Sequence, residues 1–156
     1  MNSIAARNFL EREYLPLLRQ LSPDTKPLFG KMNVQQMIEH MTDSIAIASE
    51  RLSQLHQQSE ELTEKMRNFM LSDKPFRENT PNPFLPDNPP MPRNANIEAS
   101  ILALESEIHD FIQHFENQAG KRVMNPFFGA LNFDEWLHLF HKHALHHLRQ
   151  FGISTF

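Results

Sequence analysis

Histidine is the residue type that most strongly suggests chemistry in this chain. Nine of the 156 residues are histidine, and five lie within ten residues, at positions 138, 141, 143, 146 and 147. The chain has no cysteine, so disulfide bonds, thiolate zinc sites and cysteine nucleophiles are excluded. Any metal ion must therefore be bound by imidazole and carboxylate groups.

Only two of the five clustered histidines are predicted to point into a core. On a helical wheel an apolar stripe is centred on Phe140, and its other members are Phe133, Trp136, Ala144 and Phe151. His147 lies about 20° and His143 about 60° from Phe140. The remaining three lie about 100° or more away, and we expect them to be solvated: His138, His141 and His146.

The spacing of the inward pair suits a metal ion. Side chains four residues apart share a helix face, with Cβ atoms about 5–6 Å apart, so His143 and His147 can both reach an ion at about 2.0–2.1 Å. The alternative is a pair of core histidines, although burying two unpaired imidazoles costs on the order of a few kcal/mol. His40, beside an apolar stripe on an earlier helix, is the candidate third ligand. The other histidines are expected at the solvated surface: His56, His109 and His114.

Apolar residues at three-and-four spacing predict four helices. The first covers residues 2 to about 21, with Pro16 as a complication inside it. The second opens at Asn33 with a capping box and extends toward Gln58 or beyond, while residues 59–71 either continue it or form a separate helix.

The last two helices are predicted in the second half of the chain. The third runs from about Asn96 to Asn117, with Gly120 placed to terminate it. After a turn formed by KRVMNPFFGA, the fourth runs from near Asn132 to Gly152.

A Pro-rich segment from Asp73 to Arg93 separates the two halves of the helical pattern. It contains seven prolines, a density that no regular helix or sheet interior tolerates. We expect a long, largely extended crossover between the second and third helices. Three apolar side chains suggest that it packs onto the helices: Phe76, Phe84 and Leu85.

These elements predict an all-α, four-helix-bundle fold in a single domain covering residues 1–156. With only four glycines and one tyrosine, the chain has few of the residues that favour the turns and strands of a sheet.

The net charge is −4 and the basic residues are scattered, so the sequence contains no basic patch of the kind that binds nucleic acid. The N-terminal stretch reads as neither a signal peptide nor a membrane span, so we expect a cytoplasmic protein, and exposed Phe and Leu favour a homodimer.

Three segments carry a resemblance to a known family: GKMNVQQMIEHM, PFRENTPNPFLP and MNPFFGALNFDEWLHLFHKHALHHLRQFG. Together they resemble a small branch of the DinB-like (YfiT-type) superfamily of metal-dependent enzymes, over nearly the whole chain. The resemblance implies a four-helix bundle whose metal ligands map onto His40, His143 and His147. The branch commonly has His-Pro-Phe-Phe-Gly at its turn, whereas this chain has Asn125 in the first position.

Three neutral histidines leave an ion with an open coordination position, the pattern of a catalytic site. Zinc or nickel suits imidazole best, with iron, manganese or cobalt as alternatives. The resemblance implies a hydrolase or a thiol transferase acting on a small molecule. A non-catalytic metal-binding or interaction module is the rival, and a chain without metal is a third reading. No general base is assigned, because three acids are expected on the outer side of the second helix: Glu39, Asp43 and Glu50.

Overall fold

Helices dominate the computed structural model, which describes residues 2–55, 58–80, 82 and 86–155. The elements in chain order are α1 (Ser3–Asn8), a π-helical turn (Phe9–Glu13), α2 (Tyr14–Leu18), α3 (Val34–Ala48), α4 (Glu60–Leu71), α5 (Ile97–Phe115), β1 (Val123–Asn125), β2 (Gly129–Leu131) and α6 (Phe133–Gln150). The predicted helical character is confirmed, with a small sheet in addition. Among these residues every helix is too short or too polar to traverse a bilayer.

The first helical stretch accommodates Pro16 through a change in its hydrogen bonding. The Tyr14 N–H donates to the carbonyl of Phe9, five residues earlier, which is the hydrogen bond of a π turn and not of an α-helix. Proline has no N–H and its ring clashes with the carbonyl four residues earlier, here that of Arg12. The π turn lies at this carbonyl, so the stretch continues past Pro16 and ends at Leu18, earlier than predicted.

Asparagine caps position the two helices that carry His40 and the His143–His147 pair. Asn33 accepts from the Gln36 N–H at the start of α3, and Gln36 accepts from the Asn33 N–H in return. Asn132 and Glu135 form the same reciprocal capping box at the start of α6. Both predicted caps are confirmed.

The predicted length of the second helix is wrong, because α3 ends at Ala48 and not near Gln58. Glu50 adopts a φ of 60°, and the Arg51 N–H donates to the Ala46 carbonyl at 2.9 Å. This is a Schellman end, which usually places glycine where Glu50 lies. The sequence has no glycine there, so the pattern contained no stop signal.

Residues 60–71 form the separate helix α4, which is one of the two alternatives left open by the sequence. Lys142 of α6 closes its C-terminal end: Nζ donates to the carbonyls of Phe69 at 3.1 Å and Ser72 at 2.7 Å. The same ammonium lies 5.2 Å from the Phe69 ring centroid and 5.5 Å from that of Phe76. A buried cation therefore joins α4 and the start of the Pro-rich segment to α6.

A short hairpin replaces the turn that was predicted between the last two helices. Strands β1 and β2 pair antiparallel, with Val123 opposite Leu131 and Asn125 opposite Gly129. The Asn125 side-chain oxygen accepts from the N–H groups of Phe127 and Phe128, at 2.8 and 3.1 Å. Strands of three residues are too short to show a period-two pattern, so no strand was predicted here.

The Pro-rich segment contains neither helix nor strand in its described residues. Phe76 packs against the hydrophobic core, as predicted, whereas Phe84 and Leu85 lie outside the described residues. At the other end the Arg93 guanidinium forms two hydrogen bonds with the Asp43 carboxylate of α3, at 2.7 and 3.2 Å. The segment is thus attached near both of its ends.

We predict that Lys142→Met lowers the free energy of unfolding by about 2 kcal/mol, because two hydrogen bonds from a charged donor are lost while the aliphatic stem is kept. Urea denaturation monitored by circular dichroism measures the change. Lys65→Met, at an exposed position of α4, is the matched control, with an expected effect within about 0.5 kcal/mol. Equal effects of the two substitutions would contradict this account of Lys142.

Candidate metal centre

The structure brings the three predicted ligands together. His40 comes from α3, and His143 and His147 come from successive turns of α6. The Nε2 atom of His143 lies 3.2 Å from Nε2 of His40 and 2.9 Å from Nε2 of His147. One nitrogen from each ring falls within 4.8 Å of the other two, so the group could hold one metal ion.

These separations fit a metal ion better than they fit hydrogen bonding alone. Ligand nitrogens at about 2.0–2.1 Å from a tetrahedral zinc ion lie about 3.3 Å apart, close to the two observed contacts. A neutral imidazole has one N–H and one lone pair. His143 Nε2 faces two nitrogens at once, but it carries either one proton or one lone pair and can therefore form only one of the two hydrogen bonds. Every neutral arrangement therefore leaves one contact unsatisfied, whereas a cation would accept a lone pair from all three rings.

Burial keeps all three imidazoles neutral, which is the form that binds metal. Burial lowers the pKa of His40 from its usual 6.5 to about 4. The pKa values of His143 and His147 are held well below 6.5, first by burial and then by the neighbouring histidines. His147 is the most enclosed, with 4% of its surface exposed, whereas His40 and His143 are partly exposed.

A glutamine on the same helix contacts the most enclosed ring. Gln150 Oε1 lies 2.7 Å from His147 Nδ1, and Gln150 Nε2 donates to the Phe29 carbonyl at 2.9 Å. Gln150 is itself 3% exposed. The sequence places Gln150 three residues after His147, one helical turn away, but did not identify it as part of the site.

An aromatic ring from the Pro-rich segment covers the side of the cluster formed by α6. Phe76 meets the rings of His143 and His146 edge to face, with centroids 6.3 and 6.2 Å apart. Phe76 also stacks on Phe128 at the hairpin, 6.3 Å between centroids. The segment therefore forms part of the wall of the site, and the hairpin packs behind it through Phe128.

The expectation that three other α6 histidines are solvated is wrong, because His138, His141 and His146 are all partly buried. His141 meets the Phe9 ring edge to face at 4.7 Å, and burial lowers its pKa to about 4. Nε2 of His138 and Nδ1 of His146 are buried and have no partner within the described ranges. The wheel assumed one narrow buried face, but the buried residues of α6 extend far beyond it, to Glu135 and Lys142 on the side opposite Phe140.

The other three histidines do not join the cluster in the described structure. His109 is exposed on α5, as predicted. His114 is partly buried, and its Nε2 lies 2.7 Å from Glu50 Oε2, so the surface expectation is only partly right for it. His56 lies outside the described residues.

The expected outer position of Glu39 is also wrong, since this carboxylate of α3 is 5% exposed. It accepts from the Arg93 N–H at 2.7 Å, from Ser100 Oγ at 3.0 Å and from Gln35 Nε2 at 3.2 Å. Burial opposes its ionisation, but these donors outweigh burial and lower the pKa of Glu39. The carboxylate next to His40 therefore holds the end of the Pro-rich segment on α3 and is not free to act as a base.

A surface cavity of about 410 Å³ lies elsewhere, and its lining residues are Ser49, Arg51, Asp110, Gln113 and His114. None of them belongs to the histidine cluster. Ser49 follows His40 by nine residues, about 13 Å along the axis of α3. Two of the residues that line this cavity, Arg51 and Asp110, form an ion pair at 3.1 Å.

Comparison with known proteins adds one match. A family model described as the DinB superfamily matches residues 9–151 of the chain, which include all three clustered histidines. No curated protein and no solved structure gives a significant match.

We predict that the metal-free protein loses stability as the pH falls from about 6.5 towards 4. In the folded state the pKa of His40 is lowered from 6.5 to about 4, so below 6.5 the unfolded chain binds more protons. The free energy of unfolding then falls by about 1.4 kcal/mol per pH unit for each such histidine.

Urea denaturation in the presence of EDTA at a series of pH values measures this slope. His143→Gln removes one imidazole whose pKa is held well below 6.5, and it is expected to give a shallower slope than the wild type between pH 6.5 and 4. His109→Gln, at an exposed position, serves as the control and should retain the wild-type slope. The same slope in His143→Gln as in the wild type would contradict the assignment of buried neutral histidine.

Proposed function

The chain belongs to the DinB superfamily, and on this premise we propose that it is a metal-dependent enzyme of the hydrolase or thiol-transferase type. The ligands of its single divalent ion are His40, His143 and His147. The observation that carries the proposal is the convergence of three neutral imidazoles, one buried and two partly exposed. No arrangement of protons on three neutral rings satisfies all of their contacts.

The ligand count supports a catalytic centre over a structural one. Structural zinc sites are closed by four protein ligands, whereas catalytic sites use three and keep a position open. The group formed among the described residues consists of three histidines, and no carboxylate joins it there. Imidazole ligands favour zinc or nickel over magnesium or calcium.

A bound divalent ion supplies Lewis-acid chemistry, lowering the pKa of water or of a thiol and polarising a carbonyl group. The chain itself orients and shields the ligands. Gln150 contacts His147, and Phe76 covers His143. Glu39 and Asp43 hold Arg93 beside His40, so the Pro-rich segment begins and ends next to ligands. We assign to this segment the control of access to the ion.

We further propose how the elements correspond to the four-helix bundle implied by the resemblance. The stretch from α1 to α2, together with α3, α5 and α6, would provide the four helices. Helix α4 and the hairpin would then be additions, with the Pro-rich segment crossing from α4 to α5. From the sequence we also propose that the protein is cytoplasmic and forms a homodimer.

We predict that the purified, untagged protein binds about one transition metal ion per chain. The double variant His143→Ala, His147→Ala removes two of three ligands and is expected to bind none. His109→Ala together with His114→Ala leaves the cluster intact and should keep full occupancy. Elemental analysis by mass spectrometry measures the content, after incubation with zinc or nickel where the protein is purified without metal. A wild-type protein that still binds neither ion would refute the proposed centre.

We predict that the metal-loaded protein turns over at least one substrate in a panel of activated esters, amides and thiol-transfer acceptors. The rate should fall to background in the double variant and after chelation, and should return when the ion is restored. Loss of metal with no change in rate would identify a contaminating activity. A fully loaded protein that is inactive on every class would instead support the rival, a metal-binding module without catalysis.

A further inference from the structure

Gln150 connects the most enclosed histidine to a distant part of the chain. Its side chain bridges His147 and the Phe29 carbonyl, at 2.7 and 2.9 Å. Its own backbone carbonyl accepts from the Leu28 N–H at 2.7 Å. Residues 28 and 29 are thereby fixed to the last turn of α6 by backbone and side chain together.

The two partners of Gln150 determine which way its amide points. The Phe29 carbonyl can only accept a hydrogen bond, so the amide NH₂ group must face it. The amide oxygen must then face His147, and only an N–H on Nδ1 can donate to that oxygen. Because neutral imidazole carries one proton, Nε2 of His147 is left with its lone pair, 2.9 Å from Nε2 of His143.

Glycine at position 30 makes this arrangement possible. Gly30 has a φ of +76°, a conformation that residues with side chains rarely adopt. A Cβ atom at this position would lie 2.7 Å from Gln150 Nε2. A larger residue would therefore press directly on the atom that anchors Gln150 to Phe29.

We infer that Gln150, held by the Phe29 carbonyl and by the space left at Gly30, is a positioning residue for the metal centre. It holds His147 as the Nδ1–H tautomer and points the Nε2 lone pair at the site of the ion. Its effect on metal affinity rests on the proposed function, whereas its effect on the tautomer does not.

Two readouts separate these effects. Long-range ¹H–¹⁵N spectra of the metal-free protein report which ring nitrogen of His147 is protonated, and titration with zinc gives a dissociation constant. In the wild type we expect Nδ1–H. In Gln150→Leu, which is close in size but has no hydrogen-bonding group, we expect a mixture of tautomers and zinc binding weaker by about 10- to 100-fold.

Gly30→Ala provides a second variant that leaves Gln150 itself unchanged. We expect a change in the same direction and of smaller size, since the added Cβ displaces the amide without removing it. Gln113→Leu, at an exposed position of α5, is the matched control and should retain wild-type spectra and affinity. Circular dichroism shows whether each variant is folded. If Gln150→Leu does not fold, Gly30→Ala provides the test instead.

The outcomes distinguish the inference from the proposed function. An Nε2–H tautomer of His147 in the wild type would overturn the inference, even if zinc binds tightly. Unchanged zinc affinity in folded Gln150→Leu or Gly30→Ala would overturn it as well. A third outcome is that the wild type has the Nδ1–H tautomer, that Gln150→Leu loses it, and that the wild type binds neither zinc nor nickel. This outcome would support the role of Gln150 in setting the tautomer of His147 and would refute the metal centre.

Discussion

Three imidazole rings meet between α3 and α6 at distances where their nitrogens compete for protons. His143 Nε2 lies 3.2 Å from that of His40 and 2.9 Å from that of His147. Burial keeps the rings neutral, so they cannot be satisfied by becoming charged. An arrangement of this kind is costly unless something accepts the three lone pairs. The surrounding structure is therefore best understood as the support that holds this costly arrangement in place.

That support comes from three separate parts of the chain. Residues 28–30 act through Gln150 on His147. The start of the Pro-rich segment acts through Phe76 on His143, and its end is held by Glu39 next to His40. His143 is thus contacted directly by a connecting segment, whereas connecting segments reach the other two sites through helix residues, Gln150 beside His147 and Glu39 next to His40 in sequence. Connections that would otherwise be free to vary are fixed by contacts beside the ligands, which is how a protein orients a metal site before the ion binds.

The sequence predicted the features that depend on local rules. Asparagine caps and four-residue histidine spacing are local, and the structure places Asn33, Asn132 and the inward pair as predicted. It failed where tertiary contacts decide. Glu50 ends α3 in a conformation typical of glycine, with its carboxylate near His114 and Lys121. Glu39 is buried because the Pro-rich segment brings donors to it, and no wheel of α3 alone contains those donors.

Asn125 shows how the hairpin takes part in the same arrangement. The branch that the sequence resembles commonly has histidine at this position, whereas here an asparagine oxygen accepts two backbone N–H groups and fixes the loop that carries Phe128. Phe128 stacks on Phe76, and Phe76 meets His143 edge to face. A short polar side chain suits that loop because it folds back on its own backbone. In this chain the position therefore contributes to the site through packing, and the group of described residues that could hold a metal ion there consists of the three histidines.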